Sequence, residues 1–176
     1  MTPPVSSDPP MPPADRVAVA IATFFGAGYF PVGPGTAGSV AAVLIYWFLL
    51  SGIGPSAYLG LVAIVVVLGI WSATRTERIW GHDAGRIVID EVAGQLLTLA
   101  VLSGTPGPER AVGTIFGLLL FRVFDIWKPF PIRRLERLRS GTGVMADDLG
   151  AGALAMLVLW LIGPLTRALA AGLANP

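Results

Sequence analysis

The sequence predicts an all-α polytopic membrane protein: about five short transmembrane helices, an N-terminal interfacial or re-entrant helix, and a cytoplasmic basic amphipathic segment. Three observations predict it. Of 176 residues, 54% are hydrophobic and only 13% are charged, with a mean hydropathy of +0.72, which is more apolar surface than a soluble domain of this length can hide from water. Apolar segments near the length that crosses a hydrocarbon core recur at 36–51, 54–73, 87–103, 111–127 and 148–163. The basic residues fall mostly between alternate pairs of these segments, and the acids inside them stand near segment ends.

Taken in chain order, the first stretch carries prolines at 3, 4, 9, 10, 12 and 13, which forbid regular hydrogen bonding and predict a disordered tail over 1–15. Residues 16–176 then read as a single membrane-embedded domain, because no polar block is long enough to fold separately. The run from Val17 to Phe30 follows one arginine, lacks a small-residue cleavage site and is short for a span. An interfacial or re-entrant helix fits it better than a signal peptide. Ser51 to Pro55 form an uncharged breaker between the first two spans, whereas Arg75, Glu77, Arg78, His82, Asp83 and Arg86 divide the second from the third.

One side of the predicted topology carries Arg16, Arg75, Arg78, Arg86, Lys128, Arg133, Arg134, Arg137 and Arg139, and the other carries only Arg110 and Arg167. By the positive-inside rule the basic side is cytoplasmic. The acids gather there too: Asp90 and Glu91 open the third span, Asp125 closes the fourth, and Asp147 and Asp148 open the fifth. A carboxylate in hydrocarbon costs about 2.5 kcal/mol or more, so five at similar depth need a shared partner. Acids at helix ends also occur simply as headgroup-region charges, but two adjacent pairs plus a fifth acid, on three spans, favour a site. Oxygen ligands of this type suit magnesium, manganese or calcium. Zinc would want histidine or cysteine, and the chain has one histidine and no cysteine.

Around the acids, Arg122 and Asp125 stand three residues apart, so they share a helical face, and one cation can orient the carboxylate while reaching a phosphate oxygen. Lys128 follows at the membrane edge, and Pro129 and Pro131 end the helix and send the chain along the surface. Of the four arginines beyond, Arg133 is assigned to the site and the others to attraction for anionic lipid. Pro34-Gly35-Thr36-Ala37-Gly38-Ser39 opens a span, where backbone amides with the Thr36 and Ser39 hydroxyls offer a phosphate site or an ordinary N-cap. His82 can protonate a leaving alkoxide or be a plain loop residue. Gly94 lies four residues after Asp90, and Gly152 four after Asp148, leaving slim faces where helices can approach closely.

Three stretches together resemble the phosphatidylglycerophosphatase A family: Phe25-Gly26-Ala27-Gly28 through Ser39; His82-Asp83 through Ile89-Asp90-Glu91; and Phe121-Arg122-Val123-Phe124-Asp125-Ile126-Trp127-Lys128-Pro129-Phe130-Pro131-Ile132 leading to Gly141-Thr142-Gly143-Val144-Met145-Ala146-Asp147-Asp148. The resemblance runs from about Thr23 to about Gly152, with Ser140 standing where the family pattern has a second glycine. It implies a Mg2+-dependent enzyme of a bacterial-type inner membrane that removes the terminal phosphate of phosphatidylglycerophosphate to give phosphatidylglycerol. The expected partners are that lipid and the bilayer, with no nucleic acid among them, and no oligomeric state follows.

The residues suit that chemistry in their own right. A phosphomonoester needs metal to offset its charge, cations for its equatorial oxygens and a water positioned in line. The expected catalytic and metal-binding acids are Asp90, Glu91, Asp125, Asp147 and Asp148, with His82 as a proton source. Thr36, Ser39, Arg122, Lys128 and Arg133 are the expected phosphate-binding residues. Cysteine and phosphohistidine phosphatase chemistries are excluded by composition. Metal-activated water is preferred to a covalent aspartyl intermediate. A small ion or proton transporter is the alternative from another class, although carriers place their acids near the bilayer midplane and show internal repeats.

Overall fold

The computed structural model describes residues 11–174 apart from Asp83 and Arg139, so most of the Pro-rich tail lies outside the described residues. The described chain is all-helical: α1 (Pro13–Ala22), α2 (Pro34–Ile45, continued by a wide turn over Tyr46–Leu50), α3 (Pro55–Trp80), α4 (Ile89–Leu99), α5 (Gly107–Trp127), α6 (Gly141–Leu161) and α7 (Gly163–Ala174). Proline occupies the first turn of α1, α2, α3 and α5, where its missing N–H costs nothing and its fixed φ suits the helix. Positive φ angles at Gly81 and Lys128 stop α3 and α5.

α4 is the buried centre. Every residue from Ile89 to Leu99 except Glu91 and Leu97 is buried, and the helix packs against α2, α3, α5 and α6. Its closest neighbour is α6. A Cβ on Gly152 would collide with the Gly94 carbonyl oxygen, and one on Gly94 would lie 2.6 Å from the Asp148 carbonyl oxygen. The slim faces expected from the sequence therefore let two backbones touch, and Thr98 Oγ1 donates to the Gly94 and Gly152 carbonyls at 2.9 and 3.2 Å. Tyr46 and Tyr58 are fully buried, pack edge to face, and donate their hydroxyls to Leu102 O at 3.0 Å and Leu96 O at 2.8 Å. These bonds pin α2 and α3 to the C-terminal end of α4.

The elements α2 to α6 run alternately between two ends. At one end Ser103 Oγ donates to Ile53 O at 2.7 Å, and Arg167 pairs with Glu109 at 3.5 Å. At the other end the N-termini of α2, α4 and α6 meet the C-terminus of α5, and Val88 N donates to Ala22 O at 2.9 Å. α1 is fastened to α3 by Arg75 Nε and Asp15 Oδ1 at 3.0 Å. Asp15, placed in the tail by composition, thus belongs to a docked helix.

Several boundaries differ from the hydropathy reading. α3 runs on to Trp80, so Arg75, Glu77 and Arg78 are helical instead of forming the interspan loop. α6 begins at Gly141, where a Cβ would strike the α3 backbone at Ile70 O and Thr74 N, and Asp147 and Asp148 consequently stand two turns inside it. α4 has only 11 residues, about 16 Å of rise against a hydrocarbon thickness of about 30 Å. α7, which the apolar-segment reading did not mark, packs on α5. By length and composition, α3 and α6 are apolar enough to cross a membrane. α5 is as long as α6 but carries Glu109, Arg110, Arg122 and Asp125.

Candidate active site

Three of the predicted acids converge. Asp90 and Glu91 in the first turn of α4 and Asp148 of α6 each present one carboxylate oxygen, and these oxygens all lie within 4.8 Å of one another. The contact between Gly94 and α6 is what brings them together, since any side chain there would push the two helices apart. Asp125, in the last turn of α5, lies close enough to Asp148 and Glu91 for their charges to interact. Four acids from three helices thus occupy one buried spot.

Their charge is only partly answered by protein groups. Arg122 Nη1 donates to Asp125 Oδ2 at 2.6 Å, the i,i+3 pair expected from the sequence. A Cβ on Gly35, in the first turn of α2, would fall on Glu91 Oε1 and lie 3.4 Å from Arg122 Nη1. Glycine is therefore required where α2 meets the site, and the helix presents backbone in place of a side chain. Asp90 Oδ1, Glu91 Oε2, Asp147 Oδ1 and Asp148 Oδ2 are buried without a hydrogen-bond partner. Orphaned buried oxygens are costly, and like charges this close repel. A hard divalent cation fits this donor set of carboxylate oxygens, and Asp90, Glu91 and Asp148 are the residues that could hold it.

Asp147 faces elsewhere. Its Oδ2 accepts from Lys128 Nζ at 2.6 Å, and adjacent residues project about 100° apart on a helix. Lys128, expected at the membrane edge as a phosphate ligand, is in the left-handed region at φ 46° and reaches back across the turn to α6. Thr36 is exposed on the first turn of α2. Ser39 is fully buried, and its hydroxyl donates to Gly35 O at 3.0 Å. Neither caps α2: the N-cap is Gly33, left-handed and without a side-chain bond. His82 is exposed beyond the end of α3, with its Nδ1 2.5 Å from Glu77 Oε1. Among the described residues no hydrogen bond or ion pair joins it to the acids.

Two features were not read from the sequence. Gln95, one turn beyond Glu91, is fully buried with both amide atoms unpartnered; its i+4 spacing from an acid was the available signal. Arg134, assigned to general lipid attraction, lines a cavity with Arg133 and Lys128 beside the Asp147 pair. Both depend on tertiary placement.

Residues 20–163 match the family described as Phosphatidylglycerophosphatase A. The chain belongs to that family. It is 36% identical over 145 residues to phosphatidylglycerophosphatase A of Escherichia coli, covering 81% of each chain. It is 38% identical over 145 residues to the Haemophilus influenzae protein of the same name, covering 81% of this chain and 86% of the other. A Bacteroides thetaiotaomicron protein, named as a candidate phosphatidylinositol-3-phosphatase, is 39% identical over 155 residues, covering 82% of this chain and 95% of its own. No solved structure matches. The family match spans α2 to α6 in full, and so includes every acid of the cluster.

Proposed function

We propose that this chain hydrolyses the terminal phosphate monoester of phosphatidylglycerophosphate, giving phosphatidylglycerol and phosphate, at the cytoplasmic face of a bacterial-type inner membrane. The observation that carries this is the buried triad Asp90, Glu91 and Asp148, with orphaned oxygens, beside Arg122 in a member of this family. Magnesium held by those three acids would offset the charge of the phosphoryl group and polarise a water for in-line attack. Asp125 orients Arg122, whose remaining N–H groups can hold an equatorial phosphate oxygen. Thr36, on the exposed first turn of α2 above Gly35, offers a hydroxyl to the same phosphoryl group, with Ser39 buttressing that turn through Gly35 O. Glu77 fixes His82 Nδ1, which leaves Nε2 to pass a proton to the departing alkoxide.

The end-to-end alternation of α2 to α6 supports five passes, with α4 shortened inside the bundle and α1 resting against α3 at the basic end. Residues 16–176 form one domain in this reading. The Bacteroides relative's name suggests a second substrate, phosphatidylinositol 3-phosphate, which shares a phosphodiester and a headgroup monoester with the first. Phosphate release by the purified full chain, in detergent with magnesium, tests both lipids. Release from phosphatidylglycerophosphate that disappears on chelation and returns with added magnesium is the expected result. Full activity after the ion has been stripped would contradict the metal assignment.

A further inference from the structure

The turn from α5 to α6 builds a cavity around Lys128, whose Nζ holds Asp147, the neighbour of Asp148. It is an open cavity of about 510 Å³ lined by Trp127, Lys128, Pro129, Phe130, Arg133 and Arg134. Its lining combines two chemistries. Trp127 and Phe130 are 69% and 74% exposed, as side chains meeting lipid would be, while Pro129 and three cations supply the remainder. The Arg134 guanidinium lies 4.7 Å from the centre of the Phe130 ring, which seats the charge at the rim. Lys128 connects the two sites, because the side chain that lines this cavity also holds Asp147, the neighbour of Asp148.

A lipid that carries a terminal phosphate on a polyol headgroup has a second phosphate, the diester joining headgroup to diacylglycerol, and keeps it after hydrolysis. Resting on the phosphatase reading, we propose that this cavity binds that diester, with Arg133 and Arg134 as its donors, while the monoester lies at Asp90, Glu91 and Asp148. The acid cluster is a poor host for a second anion. The cavity at the α5–α6 turn offers cations for the diester and aromatic surface for the glycerol and first methylenes of the acyl chains. Substrate selection then rests on two phosphates, one kept and one lost, more than on the polyol between them. A diacylglycerol phosphate with only a monoester fills one site and is selected against.

The test uses the full chain in neutral detergent micelles and short-chain phosphatidylglycerol, a diester without a monoester, titrated by calorimetry. Binding to the wild type is expected, weakened at least about tenfold in the Arg133→Ala/Arg134→Ala double variant. Phe130→Leu, which removes the seat of Arg134 without altering charge, should weaken it in the same direction. In turnover, the double variant should lose about tenfold of the preference for phosphatidylglycerophosphate over phosphatidate, measured as a ratio of kcat/KM. Equal affinity for phosphatidylglycerol in wild type and double variant overturns the proposal. So does an equal loss of affinity for a fatty-acid anion of the same chain length, which would make the arginines general lipid attraction. If no lipid releases phosphate while diester binding keeps its dependence on Arg133 and Arg134, the cavity assignment stands and the phosphatase reading falls.

Discussion

Asp147 and Asp148 are neighbours in the chain but meet different partners, Asp148 joining Asp90 and Glu91 and Asp147 holding Lys128. Exchanging Asp148 for Asn removes one charged oxygen from the triad, so Asp148→Asn should lower turnover by on the order of a hundredfold and raise the magnesium needed for half-activity. Asp147→Asn should lower turnover without moving the magnesium requirement, because the amide still packs but no longer fixes Lys128. In a double-mutant cycle with Lys128→Met, the Asp147 effect should couple by about 1–3 kcal/mol, and the Asp148 effect should not. Magnesium titrations of the two Asn variants separate these outcomes. The Arg122–Asp125 pair was legible in the sequence because three residues on a helix define a shared face. The Lys128–Asp147 pair was not, since its members are separated by a turn whose path follows from the left-handed backbone at Lys128.

Among the elements, the α4–α6 contact decides whether the acids meet at all. Small residues one turn from Asp90 and Asp148 were visible as spacing, and the close approach they permit is present at Gly94 and Gly152. A methyl group at either position meets backbone, which cannot rotate away as a side chain can. Gly152→Ala should therefore destabilise the protein by about 1–3 kcal/mol and, by separating α4 from α6, weaken metal-dependent activity beyond its effect on stability. A thermal scan in detergent with and without magnesium checks this. The stabilisation by the ion should shrink in the variant, whereas a purely structural role would lower both melting temperatures in parallel. Helix boundaries were less legible than contacts. Hydropathy ends a span at its first charges, yet α3 continues through Arg75, Glu77 and Arg78, because Arg75 is paired with Asp15 of α1 and the backbone needs no apolar neighbours to stay helical. α4 shows the opposite error: its apolar run includes a loop and a tight turn, both packed inside the bundle.

For the whole molecule, the question is which end faces the cytosol, and the alternation of helices makes it testable at two positions. The basic excess lies at the end with the acids, and the proposed orientation has that end facing the cytosol. The opposite end is marked by the Ser103–Ile53 bond and the Glu109–Arg167 pair. Gly85 at the first end and Gly107 at the second are exposed, and a Cβ at either meets nothing within 4 Å. The chain contains no cysteine, so Gly85→Cys and Gly107→Cys each introduce a single thiol without background and without a steric cost. In intact cells a membrane-impermeant maleimide should label Gly107→Cys and leave Gly85→Cys untouched until the membrane is permeabilised. The pattern also bears on the number of passes, because α3, α4 and the loops around them can place the two thiols on opposite sides only if α4, at 11 residues, carries the chain across the bundle with the turn that follows it. Labelling of both thiols from the same side would mean that α4 returns without crossing and that the chain makes fewer than five passes. Labelling of Gly85→Cys alone in intact cells would invert the orientation and place the phosphatase site on the outer leaflet.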